Sequence, residues 1–89
     1  MPYISKYKRR WFKQSIATIV NILDKNIWEE RMGILNYVFT KILLDTLPPE
    51  TKYHHYNALI GVLESCKLEL YRKQIASYED KKETENGNI

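Results

Sequence analysis

The chain has 89 residues, enough for one small domain. Its 44% hydrophobic content excludes an intrinsically disordered chain, and three glycines and three prolines are too few for the turns of a many-stranded β fold. We therefore predict an all-α protein, a small bundle of about three helices. Because so short a chain buries only about two thirds of its unfolded surface, its monomer should be marginally stable, and we expect homo-oligomerisation to complete the bundle.

The net charge of +3 is distributed unevenly along the chain. Residues 1–23 carry five basic side chains and no acidic one, whereas the C-terminal segment YEDKKETEN is mostly acidic. This asymmetry indicates either an anion-binding end or head-to-tail pairing between chains. A solvated helix face is the alternative interpretation.

The first predicted helix covers residues 4–24, in which Phe12, Ile16, Val20 and Leu23 recur at helical spacing. The segment DKNIWEERMG follows as a connector of mixed charge, with a helical turn of its own as an alternative.

The second predicted helix covers residues 32–47 and ends before Pro48 and Pro49, which cannot extend the hydrogen-bond ladder. One of its faces is apolar and suits a core. The opposite face is semi-polar and consists of Asn36, Tyr37, Thr40, Lys41 and Leu44. A face meant only for water rarely carries large apolar side chains, so we predict a contact beyond the monomer core.

The third predicted helix covers residues 52–78, with Thr51 as its N-cap. An apolar stripe consists of Tyr56, Leu59, Leu63, Cys66 and Leu70, and a second, mixed stripe of Asn57, Gly61, Glu64, Leu68 and Tyr71. A helical glycine costs about 1 kcal/mol relative to alanine, and close approach of another backbone at Gly61 would explain it. The alternative is that the three helices simply wrap one another. The lone Cys66 is expected to be a buried thiol. We assign residues 1–80 to a single helical domain and residues 81–89 to a flexible acidic and polar tail.

No spacing of residues indicates catalysis or a metal site. His54 and His55 are adjacent, so on a helix they point about 100° apart and cannot hold one metal together. Cys66 has no base near it in sequence. We therefore predict a protein that is not an enzyme and has no cofactor. No apolar run reaches the roughly 18 residues that span a bilayer, and no signal peptide is evident, so we expect no membrane association.

Three segments, LNYVFTKILLD, YNALIGVLESCKLELYRK and YEDKKETENGN, resemble a family of short, mostly uncharacterised proteins of tailed bacteriophages and prophages. The resemblance covers residues 35–88. It implies a phage accessory protein made in the host bacterial cytoplasm. Small phage proteins of this size often oppose host defences, some by trapping nucleotide immune signals in oligomer pockets, and that analogy concerns context rather than fold.

The expected function is therefore an anti-defence protein that sequesters a nucleotide-derived signal without cleaving it. Such a ligand needs cations for phosphate, aromatic faces for the base, and amides or carboxylates for its edge. The candidates are Arg72 and Lys41 for phosphate, Tyr37 and Tyr71 for the base, Asn36, Asn57 and Glu64 for its edge, and Arg9 and Arg10 from a neighbouring chain.

Three alternatives stay open at this point. The polar residues of the semi-polar faces pair across a subunit contact and leave no pocket. The chain is a protein-interaction module that inhibits or adapts a host protein through Tyr3, Trp11 and Trp28. A weak nucleic-acid-binding protein is the third, although the acidic tail disfavours it.

Overall fold

The computed structural model describes residues 4–87, which are helical throughout apart from short connections. The elements are α1 (Lys6–Asp24), α2 (Trp28–Thr46), α3 (Tyr53–Leu70), a π-helical turn (Tyr71–Ile75) and α4 (Ala76–Asn86). The last three follow one another without a break and form one continuous helix over residues 53–86. The predicted all-α class is confirmed, and the described residues contain the three predicted helical segments and no strand.

The chain divides into two units, the first ending at Asp45 and the second beginning at Thr46. In the first unit, α1 begins after Ser5, whose hydroxyl oxygen accepts a hydrogen bond of 3.4 Å from the amide of Lys8. This is a conventional N-cap, because it satisfies an amide that has no partner within the helix.

The turn between α1 and α2 is held by Arg31, which reaches back to the end of α1. Its Nε donates to the Asn26 carbonyl at 2.8 Å and its Nη2 to the Asp24 carbonyl at 3.4 Å. Its Nη1 also lies 3.7 Å from the Asp24 carboxylate. A helix C-terminus leaves carbonyls unsatisfied and carries partial negative charge, so a guanidinium stabilises it twice over.

The connector between α1 and α2 is shorter than the sequence indicated. Helix α2 begins at Trp28 rather than residue 32. Glu29 and Glu30 occupy its first turn, where negative charge is favourable against the helix dipole. The charged segment is therefore part of the helix, and only residues 25–27 connect.

In the second unit, the prediction of Thr51 as the N-cap of α3 is wrong. The Thr51 hydroxyl instead donates to the Pro48 carbonyl at 2.7 Å, which closes the turn that contains the prolines. Lys52 takes the N-cap position, and its amide donates to Nδ1 of His55 at 2.9 Å. His55, at the third helical position, thus satisfies the amide of the N-cap residue, as the third-position side chain does in a capping box.

Helix α4 continues to Asn86, beyond the predicted helix end at residue 78. Gly87 ends it with a φ of 92°, a left-handed conformation that suits glycine, and its amide donates to the Glu83 carbonyl at 2.8 Å. Residues 81–86 are therefore helical here. The domain boundary at residue 80 stays a prediction, and residues 88–89 lie outside the described part of the chain.

Most apolar side chains of residues 4–87 are exposed or only half-buried, and Leu23 is the one hydrophobic residue that is buried, at 8% exposure. The expectation of a buried Cys66 thiol is wrong, because the apolar stripe on which Cys66 lies is largely uncovered. A β-carbon added at Gly61 would meet no described atom within 4 Å.

Candidate functional site

The π-helical turn begins at Tyr71 and includes Arg72, two of the residues that the sequence selected for ligand binding. The Ala76 amide donates to the Tyr71 carbonyl five residues earlier, instead of four as in an α-helix. π-helical turns are rare and occur frequently at functional sites, because the wider coil redirects the side chains that follow.

Tyr71 lies close to two carboxylates of α4. A hydrogen bond to the Glu79 carboxylate and the negative charge of that group raise the pKa of the Tyr71 hydroxyl above its ordinary value of 10.0. Slight desolvation and the charge of Asp80 act in the same direction. The phenol is therefore held protonated as a donor, with its ring about half exposed.

Arg72 forms a two-pronged ion pair with Glu69. Arg72 Nε lies 3.2 Å from Glu69 Oε1, and Arg72 Nη2 lies 3.1 Å from Glu69 Oε2. This geometry fixes the plane of the guanidinium as well as its position. On the same helix, Glu64 pairs with Lys67 at 3.1 Å, and Asn57 is exposed.

The candidate residues of α2 lie in the first unit and are exposed. Lys41 Nζ contacts the Asp45 carboxylate at 3.1 Å. Asn36 Oδ1 accepts a hydrogen bond of 3.1 Å from the Thr40 hydroxyl. Tyr37 presents 67% of its surface to solvent. These residues form a polar face from which the Tyr37 ring protrudes.

The start of α1 combines cations with aromatic rings. The Arg10 guanidinium lies 5.1 Å from the centre of the Tyr7 ring, and the Tyr7 and Trp11 rings meet edge to face at 6.0 Å. Arg9 Nε donates to the Ile4 carbonyl at 3.1 Å. Cation–π contact of this kind holds Arg10 against the helix and leaves Trp11 exposed.

The nine candidates fall into the two units and pair mostly with neighbours outside the candidate set. The first unit holds Arg9, Arg10, Asn36, Tyr37 and Lys41, and the second holds Asn57, Glu64, Tyr71 and Arg72. Their convergence on one ligand stays a prediction. The partners Glu69, Asp45 and Lys67 were missed by sequence reasoning, although each stands three or four residues away on the same helix.

A shallow, open depression lies along α4, and it is formed by side chains other than the nine candidates. It is lined by Tyr78, Glu79, Lys82, Glu83, Asn86 and Gly87. Within residues 4–87, no three His, Cys, Asp or Glu side chains converge as metal ligands would. In the same residues, no helix is long and apolar enough to cross a bilayer.

A family model described as "Domain of unknown function (DUF6899)" matches residues 1–89, the full length of the chain. The chain is a member of the DUF6899 family. No curated protein and no solved structure matches the DUF6899 chain. Membership in a family of unknown function agrees with the coarse part of the resemblance found in the sequence. The phage origin of this DUF6899 chain stays a prediction. The assignment of its three sequence motifs to a phage family also stays a prediction.

Proposed function

We propose that this protein is a bacteriophage accessory protein of the host cytoplasm that sequesters a nucleotide-derived immune signal without cleaving it. The observation that carries the proposal is the π-helical turn, because it falls on Tyr71 and Arg72. These two residues offer complementary chemistry, a stacking ring beside a guanidinium, which suits a base linked to a phosphate.

The order already present around these two side chains favours binding. Glu69 holds the Arg72 guanidinium through contacts of 3.2 and 3.1 Å, and Glu79 raises the pKa of the Tyr71 hydroxyl. Side chains that are held before the ligand arrives lose less conformational entropy when it binds. Both residues remain exposed, so an incoming ligand can reach them.

We expect the ligand to stay intact, because neither the Tyr71 phenol nor the Arg72 guanidinium acts as a nucleophile or general base at neutral pH. A protonated phenol with a raised pKa is a hydrogen-bond donor rather than a general base at neutral pH. We therefore assign binding alone to the site.

Calorimetry with a panel of cyclic and linear nucleotides tests the proposal. We expect binding to the parent protein and a loss of roughly ten- to a hundredfold in affinity for Arg72→Ala, as for one charge-assisted contact. Tyr71→Ala should weaken binding while Tyr71→Phe retains the stacking face. Lys82→Ala is the matched control, since Lys82 pairs with Glu85 at 3.2 Å as Arg72 pairs with Glu69. No heat with any nucleotide would refute the proposal.

A second candidate is a protein-interaction module that inhibits or adapts a host protein. It is favoured by the exposure of Trp11 and Trp28, because exposed tryptophans are typical anchors of protein interfaces. Tyr3, the third residue proposed for this role, lies outside the described residues. A stable pull-down of one host protein that Trp11→Ala abolishes, with no nucleotide binding, would support this module instead.

A further inference from the structure

We propose that α1 of one copy docks antiparallel on the π-helical turn and α4 of a second copy, and that this contact completes the anion site at Tyr71 and Arg72. The role for the site rests on the proposed function above, whereas the contact between copies is independent of it. Each half of the contact is a ridge of side chains along one helix face.

The ridge of α1 begins with cations and continues with apolar side chains. Lys8 and Arg9 stand one turn before Phe12, and Ile16 and Val20 follow at four-residue intervals. All five are exposed, although Phe12, Ile16 and Val20 are large hydrophobic residues. A basic patch that runs into an uncovered apolar stripe suits a partner with an acidic patch beside an apolar one.

The ridge of the second unit has the reverse order. Leu68 and Ile75 are exposed and apolar, and Glu79 and Glu83 follow at four-residue intervals. The acidic residues therefore continue the apolar ridge toward the C-terminus.

Order along the two ridges selects the antiparallel arrangement. Phe12 to Val20 spans about 12 Å and Leu68 to Ile75 about 10 Å at the helical rise of 1.5 Å per residue. Antiparallel docking sets apolar residues on apolar residues, and Lys8 and Arg9 beside the two glutamates of α4. Parallel docking would instead set the cations on the apolar part of the second ridge.

The anion site needs this contact because carboxylates surround it. Glu79 and Asp80 place negative charge near Tyr71, and Glu69 lies against Arg72. An anionic ligand is repelled by such charges unless cations offset them. The basic start of α1 from a second copy supplies those cations.

A second copy is the occupant we commit to, because the same chain carries both complementary ridges. Helix α1 has five basic residues and a single acidic one at its last position, and α4 has four acidic and two basic residues. Every copy therefore offers a basic ridge to one neighbour and an acidic ridge to another.

Charge reversal with mixing tests the contact without any nucleotide. We expect Lys8→Glu/Arg9→Glu and Glu79→Lys/Glu83→Lys each to sediment as monomers, because like charges then face each other. An equimolar mixture should recover the parental assembly, since the acidic α1 of one variant meets the basic α4 of the other. Glu29→Lys/Glu30→Lys is the control with the same charge change on α2, and it should assemble as the parent does.

Three results would overturn the contact: a monomeric parent protein, single variants that assemble normally, or a mixture that stays monomeric. Circular dichroism of each variant separates failed docking from failed folding, because folded monomers keep their helical spectrum. If assembly follows the expected pattern but no nucleotide binds, the contact stands and the proposed function fails.

Discussion

Among the single residues, Tyr71 has a side-chain pKa that its neighbours shift. It donates to Glu79, so its pKa lies above the ordinary value of 10.0. Glu79→Gln should lower the pKa of Tyr71 toward that value, because the amide removes the negative charge. NMR titration of ring-labelled tyrosine, with Tyr71→Phe to assign the signal, measures it. An unchanged Tyr71 pKa in Glu79→Gln would contradict the contact.

The same bond gives a pH dependence of stability with a definite sign. The phenol donates only while protonated, and its folded-state pKa is above the unfolded value of about 10. The contribution is therefore fully present below pH 10 and is lost as the pH rises through the folded-state pKa. Chemical unfolding from pH 9 upward should show a smaller loss of stability for Glu79→Gln than for the parent. Equal losses would count against the bond.

Arg31 is the residue whose loss should most affect the first unit. It bonds to the Asp24 carbonyl at the end of α1 and to the Asn26 carbonyl of the connector, so Arg31→Ala should lower the free energy of unfolding by about 1–3 kcal/mol. Lys25→Ala is the control, because that neighbouring side chain is exposed and should change stability by less than about 0.5 kcal/mol. Denaturant unfolding at one fixed protein concentration makes the comparison. Equal stabilities of the two variants would refute the capping role.

Some residue contacts could be read from the sequence and others could not. Arg72 with Glu69 and Lys41 with Asp45 follow from helical spacing of three or four. Tyr71 and Glu79 are eight residues apart, which in an α-helix leaves them about 80° apart around the axis. The extra residue that the π-helical turn takes up reduces this angle, and no sequence pattern predicts that turn.

The π-helical turn is the feature that matters most at the scale of elements. Deleting Gln74, which lies within the turn, should convert it to regular α-helix with Tyr71 and Glu79 seven residues apart, or about 20° apart around the axis. We expect an unchanged helical circular dichroism signal and a Tyr71 pKa that stays raised, because the two side chains remain on one face. Deleting both Gln74 and Ile75 is the comparison, since the pair is then six residues and about 120° apart, and the Tyr71 pKa should fall to its ordinary value. An ordinary Tyr71 pKa after deletion of Gln74 alone would rule this out.

Helix positions were predicted well where hydrophobic periodicity is strong and poorly where capping decides. The end of α1 at Asp24 was anticipated from its apolar residues. The start of α2 at Trp28 was missed because a charged stretch suggested a connector. The extension of α4 to Asn86 was missed because residues 83–89 were interpreted as weak helix formers, although Glu83 and Glu85 favour a helix and Gly87 marks its end.

In the molecule as a whole, most large apolar side chains of residues 4–87 are exposed and need further burial. Leu23 is the one buried hydrophobic residue among residues 4–87, whereas stable domains bury many. Association would supply the missing burial, so the melting temperature should rise with protein concentration. Calorimetric scans over a hundredfold range of dilution measure it. A melting temperature independent of concentration would exclude stabilisation by assembly.

Native mass spectrometry of the untagged protein with a nucleotide panel tests association and ligand binding in one measurement, because it weighs the assembly and its ligand together. We predict dimers or larger multiples of the 10.7 kDa chain that carry an added mass equal to an intact nucleotide. A bare monomer at tens of micromolar, or an added mass smaller than the nucleotide supplied, would contradict it.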